Sequence, residues 1–241
     1  MVSARWADPH WIALFEPGMS VDRVTSNFAQ RLPRNLTNGR ASRRHQIAID
    51  DSTGQAVAYI RWILPQHLAS AHPVVWPEAQ VQEPTQQDKA RFDKQYEDAS
   101  EQGLRPDLLA YRSAPLEKID AKIRESGPFL GTHTCTRYCQ CRSTPDRRVQ
   151  LTSWLRPELD YLTTAPEYQR HGIGAMLLVT GLEVADAHGL KAYVTSSVVG
   201  AKLYQKHGFE VVETCSTDYS QFGGVEHEMN IFMIRKPRVR A

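Results

Sequence analysis

Residues 161–175 constrain the fold of this chain more than any other stretch. Tyr161-Leu162-Thr163-Thr164-Ala165-Pro166 reads as a strand ended by a proline, and Gln169-Arg170-His171-Gly172-Ile173-Gly174-Ala175 as a short glycine turn. The apolar run that follows reads as a helix opening at the glycines. A turn of this kind aims backbone N–H groups and the positive end of a helix dipole at one point, where a phosphate oxyanion can be held. Two other phosphate turns are excluded by spacing. There is no Gly-x4-Gly-Lys-Ser/Thr, and no third glycine follows Gly174 at the interval that a dinucleotide turn requires.

Downstream, Ile173, Met176, Leu177, Thr180, Gly181 and Val184 form one helical stripe, widened by Leu178, Leu182 and Ala185. This predicts a helix over 173–187 pressed onto a sheet, closed by His188-Gly189. Lys191 to Thr195 reads as a strand, Val198 to His207 as a helix ended by Gly208, and Phe209 to Glu213 as another strand. The order is strand, turn, helix, strand, helix, strand.

The second of these helices carries Ala201-Lys202-Leu203-Tyr204-Gln205-Lys206-His207-Gly208-Phe209. The turn Gln169-x-x-Gly172-x-Gly174, followed at this distance by Leu203-Tyr204 and then Gly208-Phe209, resembles the GCN5-related N-acetyltransferases (GNAT superfamily), in a small fungal-type form. The resemblance implies an α/β protein with the GNAT acyl-CoA N-acyltransferase fold, a mixed, mostly antiparallel sheet with helices on both faces. It implies a single domain over 1–241, with 158–235 as the acetyl-CoA-binding half. It also implies transfer of an acetyl group from acetyl-CoA, the cosubstrate, to a primary amine by direct attack. A non-catalytic or degenerate acyl-CoA-binding protein is the alternative.

The same resemblance assigns residues. Gln169, Arg170, His171, Gly172, Ile173, Gly174 and Ala175 would hold the pyrophosphate through backbone N–H groups. The backbone of Leu162, Thr163 and Thr164 would pair with the pantetheine amides, because the family splays two parallel strands apart there, and an N–H could polarise the thioester. Tyr204 matches the family's general acid: a phenol of pKa about 10 can protonate a departing thiolate whose thiol has a pKa of about 8.5. The alternative is a core aromatic with its hydroxyl at the edge. Where the family often has an asparagine, seven residues before the tyrosine, this chain has Ser197, which can still hydrogen-bond and joins the expected coenzyme-binding set. Glu158 and Asp160, two apart on a strand, point to one face and could take the amine proton; each reads equally as a solvated carboxylate. His207 reads as a helix-end residue, and Trp62, Trp76 and Tyr168 as packing or pocket-lining aromatics.

Ahead of this half, a helix is expected after Asp8, another over Val21–Arg34, and an antiparallel hairpin from Arg44–Ile49 and Ala56–Leu64 around Asp50-Asp51-Ser52-Thr53-Gly54. The hairpin's second strand has apolar residues on both faces, as a covered strand does. Family members begin with a strand and a helix, so this chain is expected to start inside that first helix and leave a sheet edge uncovered. Residues 65–127 read as an excursion, a lid or a solvated decoration, with an exposed helix in 85–103 and a short one over Leu116–Arg124.

Residues 131–157 are aperiodic and rich in Thr, Arg and Cys. Three readings stand. One is a zinc site of His133, Cys135, Cys139 and Cys141, against the usual ligand spacing. The second is a surface loop without a role. The third is translated non-coding sequence, whose removal would join Leu130 to Glu158 within one strand. No metal is expected.

With a formal charge of +2 and no dominant block of like charge, neither a nucleic-acid partner nor a membrane is expected. A small-molecule or peptide amine is the expected partner. No apolar run reaches the length of a membrane span and no leader pattern opens the chain, so a cytoplasmic location is expected.

Overall fold

The computed structural model describes residues 2–6, 8–99, 103–132, 161–222 and 227–238. Two short helices, α1 (Val2–Arg5) and α2 (Pro9–Ile12), precede the long α3 (Val21–Thr37). Asp8 and Ser20 cap α2 and α3 as helix-start residues should, each accepting a backbone N–H. Next come β1 (Arg43–Asp50), β2 (Gln55–Ile63), α4 (Gln66–Ala69), α5 (Gln86–Asp98) and α6 (Pro106–Arg124). The second half holds β3 (Phe129–Thr132), β4 (Leu162–Thr164), α7 (Ile173–Ala187), β5 (Lys191–Ser197), α8 (Val198–Lys206), β6 (Glu210–Thr217) and β7 (Glu228–Arg235).

The strands form one sheet in the order β1-β2-β3-β5-β7-β6, with β4 also paired to β2. Among the described residues every pairing is antiparallel except β3 with β5. Side chains alternate between two layers, as the pleat dictates. Leu130, Ala192, Val194 and Met233 join the core beneath α7 and α8, whereas their neighbours Phe129, Tyr193 and Phe232 pack with Leu116 of α6 on the other face. A further cluster ties Val2, Trp11, Leu14 and Val24 to Leu108, Leu109 and Tyr219.

α6 is longer than the sequence spacing suggests. It starts at Pro106, runs through Pro115, and buries Leu108, Leu109, Arg112, Ser113 and Leu116. Burial of that face outweighs the local cost of the internal proline, which a reading of the sequence takes as a boundary. The second part of 65–127 is therefore built into the body of the protein. α5, by contrast, buries nothing and holds to α3 through Tyr96, whose ring lies 4.1 Å from the Arg31 guanidinium and 4.2 Å from that of Arg34. Among the described residues β1 is an edge strand, with Ile47 and Ile49 exposed by 54% and 52%.

β3 and β4 share one line in the sheet. Gly131 lies opposite Ile63, and the Tyr161 carbonyl accepts the Arg61 N–H at 2.9 Å. The single place between them, opposite Trp62, belongs to Thr132. Thr132 and Tyr161 therefore occupy successive positions along β2, and 133–160 intervene without slipping the register. A cut at 131–157 would be one residue short of this register, and one residue turns every following side chain to the other face. His133, Cys135, Cys139 and Cys141 lie outside the described residues, as do Glu158 and Asp160.

Candidate active site

Beneath this line the sheet opens. β3 pairs with β5 from Phe129↔Lys191 to Thr132↔Val194, but among the described residues β4 pairs only with β2 and the end of β5 only with β7. The result is a wedge between Leu162–Thr164 and Thr195–Ser197. Hydrogen bonds on its β2 side run from the Arg61 N–H to Tyr161 O and from the Ala165 N–H to Val57 O at 2.8 Å. By antiparallel alternation the Thr163 backbone faces β2, while the N–H and C=O groups of Leu162 and Thr164 face the wedge. Thr163 is thus removed from the expected set of wedge-facing groups. The Thr164 carbonyl is already approached by the Gln169 side-chain amide at 3.2 Å.

The glycine turn closes one end of the wedge. Arg170 and Gly172 both take positive φ, 68° and 82°, and Gly172 is the N-cap of α7 without any side-chain cap. The first intrahelical bond is from Met176 N–H to the Gly172 carbonyl, at 3.0 Å, which leaves the N–H groups of Ile173, Gly174 and Ala175 without helical partners. Gln169, Arg170, His171 and Gly172 are exposed. Such a terminus has the chemistry to receive an anion.

Both sequence motifs meet at Gly174. A Cβ placed there would lie 3.5 Å from Thr164 Oγ1, 3.7 Å from a Leu203 methyl and 4.0 Å from a Leu162 methyl. α8 therefore sits against the turn and β4. Next to Leu203, Tyr204 is 6% exposed, its ring edge-on to Phe209 at 5.4 Å. Its Cε2 edge lies 3.7 Å from the place of a Cβ on Gly200, and that same place is 2.7 Å from Ser196 Oγ. The hydroxyl end of Tyr204 is accordingly directed at the junction of β5 and α8, on the β5 side of the wedge.

Ser197 caps α8, its Oγ accepting the Gly200 N–H at 3.3 Å. His207 is a helix-end residue as expected, Nδ1 lying 2.9 Å from the Leu203 carbonyl. Tyr168 braces the turn by donating to Asp50 at 2.6 Å. Hydrogen bonds from the Ser52 side chain and from Tyr168 bring the Asp50 carboxyl down to about 2. Trp62 is buried against α7 at Gly181, where a Cβ would fall 2.1 Å from the ring. Trp76 borders a separate cleft of about 540 Å³ with Gln46, Thr180, Glu183 and His188, toward the far end of α7.

On the opposite face of the opening lies a group of residues that no sequence motif marks. Tyr161 and Thr163 alternate with Leu162 and Thr164, so they face away from α7. The guanidiniums of Arg5 and Arg61 lie 5.7 and 5.9 Å from the centre of the Tyr161 ring. Behind them Arg112 donates twice to Glu228, at 2.7 and 2.6 Å, and the Tyr219 hydroxyl donates to the same carboxylate at 2.5 Å. Burial alone would raise the Glu228 pKa, but the charge and hydrogen bonds of Arg112 and Tyr219 bring it down to about 2. Glu228 is thus a buttress rather than a base. Arg112 is 116 residues from Glu228, and only the fold brings the two together.

Residues 135–211 match the family model described as "Acetyltransferase (GNAT) domain". No curated protein sequence matches the chain. Among solved structures, one described as "histone acetyltransferase HPA2 and related acetyltransferase" from Corynebacterium glutamicum aligns over 100% of this chain and 88% of its own, at 14% identity and a TM-score of 0.50. A GNAT-family acetyltransferase from Streptococcus pneumoniae aligns over 98% and 93% at 11% identity, with a TM-score of 0.39. One from Elizabethkingia anophelis, with acetyl-CoA bound, is 21% identical over 31% of this chain and 56% of its own, with a TM-score of 0.26.

Proposed function

For a chain whose residues 135–211 match the GNAT acetyltransferase domain and whose fold is that of a GNAT acetyltransferase, we propose transfer of an acetyl group from acetyl-CoA to a primary amine by direct attack. The observation that carries this reading is the meeting at Gly174 of an uncapped glycine turn, a strand with two wedge-facing residues, and α8 with Tyr204. In this reading the N–H groups of Ile173 to Ala175 take the pyrophosphate, and Leu162 and Thr164 pair with the pantetheine amides.

The amine nitrogen attacks the thioester carbon, and a wedge-facing N–H stabilises the oxyanion. The C–S bond then breaks and the leaving sulfur takes a proton from Tyr204. The proton shed by the amine passes to Glu158 or Asp160. A small-molecule or peptide acceptor and a cytoplasmic location complete the reading, since the cosubstrate is an intracellular coenzyme. A non-catalytic acyl-CoA-binding protein is the second reading, favoured by the burial of Tyr204 and by the use of Ser197 as a helix cap.

Titration with acetyl-CoA while following the melting temperature tests the cradle. At 100 times Kd, binding adds about 2.7 kcal/mol. A folded protein with no saturable shift contradicts both readings. Tyr204→Phe separates them: turnover should fall about 10²-fold or more with coenzyme affinity unchanged, and unchanged turnover removes Tyr204 from the reaction.

A further inference from the structure

Arg5 is an unusual cation. It is partly buried, its guanidinium lies over Tyr161, and no hydrogen bond or ion pair of its side chain falls among the described residues. Burial lowers its pKa, the direction expected where a charge has lost water without gaining full compensation. The nearby carboxylates are engaged. Glu228 accepts two bonds from Arg112 and one from Tyr219, and Asp8 accepts the His10 N–H at 3.0 Å as the cap of α2. Among the described residues this guanidinium keeps donors unused, and a desolvated charge is costly unless something completes it.

Its position says what that could be. The glycine turn and Tyr204 occupy the α7 and α8 side of the opening, so under the proposed acetyl transfer, on which this inference rests, the acceptor approaches from the side of Tyr161. Arg5, Arg61 and Arg112 all stand near that side, with Glu228 already committed to Arg112. An approaching polycation would be repelled, whereas a planar carboxylate matches the guanidinium fork with two charge-assisted hydrogen bonds. We propose that the acceptor is an amine that also bears a carboxylate, and that Arg5 holds that carboxylate beside Tyr161. Arg5 is a binding residue that sets specificity, and no proton of the reaction passes through it.

The test uses the full chain with acetyl-CoA and a panel of matched acceptors, the common amino acids against their amides, with spermidine and an aminoglycoside as polycations. Thiol release is followed. The acids should exceed their amides at least tenfold in kcat/KM. Arg5→Gln should abolish that ratio by raising KM for the acids alone, and Arg5→Lys should restore part of it. The ratio is internal to each variant and independent of how much of it folds. Equal use of acids and amides, preference for the polycations, or no turnover of any acid by a protein that binds acetyl-CoA overturns the inference and leaves the cradle standing. Failure to bind acetyl-CoA removes the underlying reading as well.

Discussion

Excising residues 133–160 and joining Thr132 directly to Tyr161 should leave a folded, coenzyme-binding protein that is more stable than the parent. The flanks occupy successive places opposite Trp62 and Arg61, so the new peptide bond completes a strand already in register. Joining the two flanks through about 28 residues instead of one peptide bond costs roughly (3/2)RT ln n in chain closure, or about 3 kcal/mol, and the excision returns that amount. For a domain of this size that is a rise of roughly 6–12 °C in Tm. Calorimetry with and without acetyl-CoA measures both effects, alongside two controls that remove one residue more or one fewer. Each control forces either a bulge or a reversal of Leu162 and Thr164 away from Gly174, and should lose stability and the coenzyme shift. A melting temperature below the parent's, or three indistinguishable excisions, would refute the register argument. The excision also removes Glu158 and Asp160. Retained coenzyme binding with lost turnover would therefore support a base in that pair, and retained turnover would exclude both.

Three further outcomes follow from the geometry. Gly172→Ala meets no atom within 4 Å, so its cost is that of φ at 82° alone, about 1–2 kcal/mol; isothermal titration should show acetyl-CoA affinity down about tenfold with the fold intact, and unaltered affinity would take the turn out of the cradle. Gly181→Ala places a Cβ 2.1 Å from the Trp62 ring and should cost about 1–3 kcal/mol in urea denaturation, much of it recovered by pairing the change with Trp62→Leu. Because the Glu228 pKa is depressed to about 2, its contribution is complete above pH 5 and is lost as pH falls toward 2. It is on the order of 3 kcal/mol, and Glu228→Gln should flatten that acid limb; a limb unchanged by the substitution would show that Glu228 does not carry it.

His45 illustrates how far the tertiary environment departs from what a side chain does alone. Burial, with the charges of Arg61, Arg43 and Arg44, brings its pKa down to about 3, and Nδ1 lies 2.8 Å from the Tyr59 hydroxyl. Nothing in Arg44-His45-Gln46 announces this. The same holds for α6, where Pro115 masks a helix that burial sustains, and for the Arg5, Tyr161 and Arg112 group, assembled from three remote segments.

The sequence by itself determined the local order from strand to glycine turn to helix, the helix start after Asp8, the hairpin at Asp50–Gly54, and the pairing of two motifs that carries the family resemblance. Each depends on backbone preference or on side-chain period over a few residues, and both are written in neighbouring positions. Only the tertiary structure decided which backbone groups of 162–164 face the wedge, how β3 and β4 share one strand line, and which charges gather behind Tyr161. Those follow from pairing register and burial between segments far apart in the chain. Local propensity carries no record of such contacts, because their energy exists only once the sheet has formed.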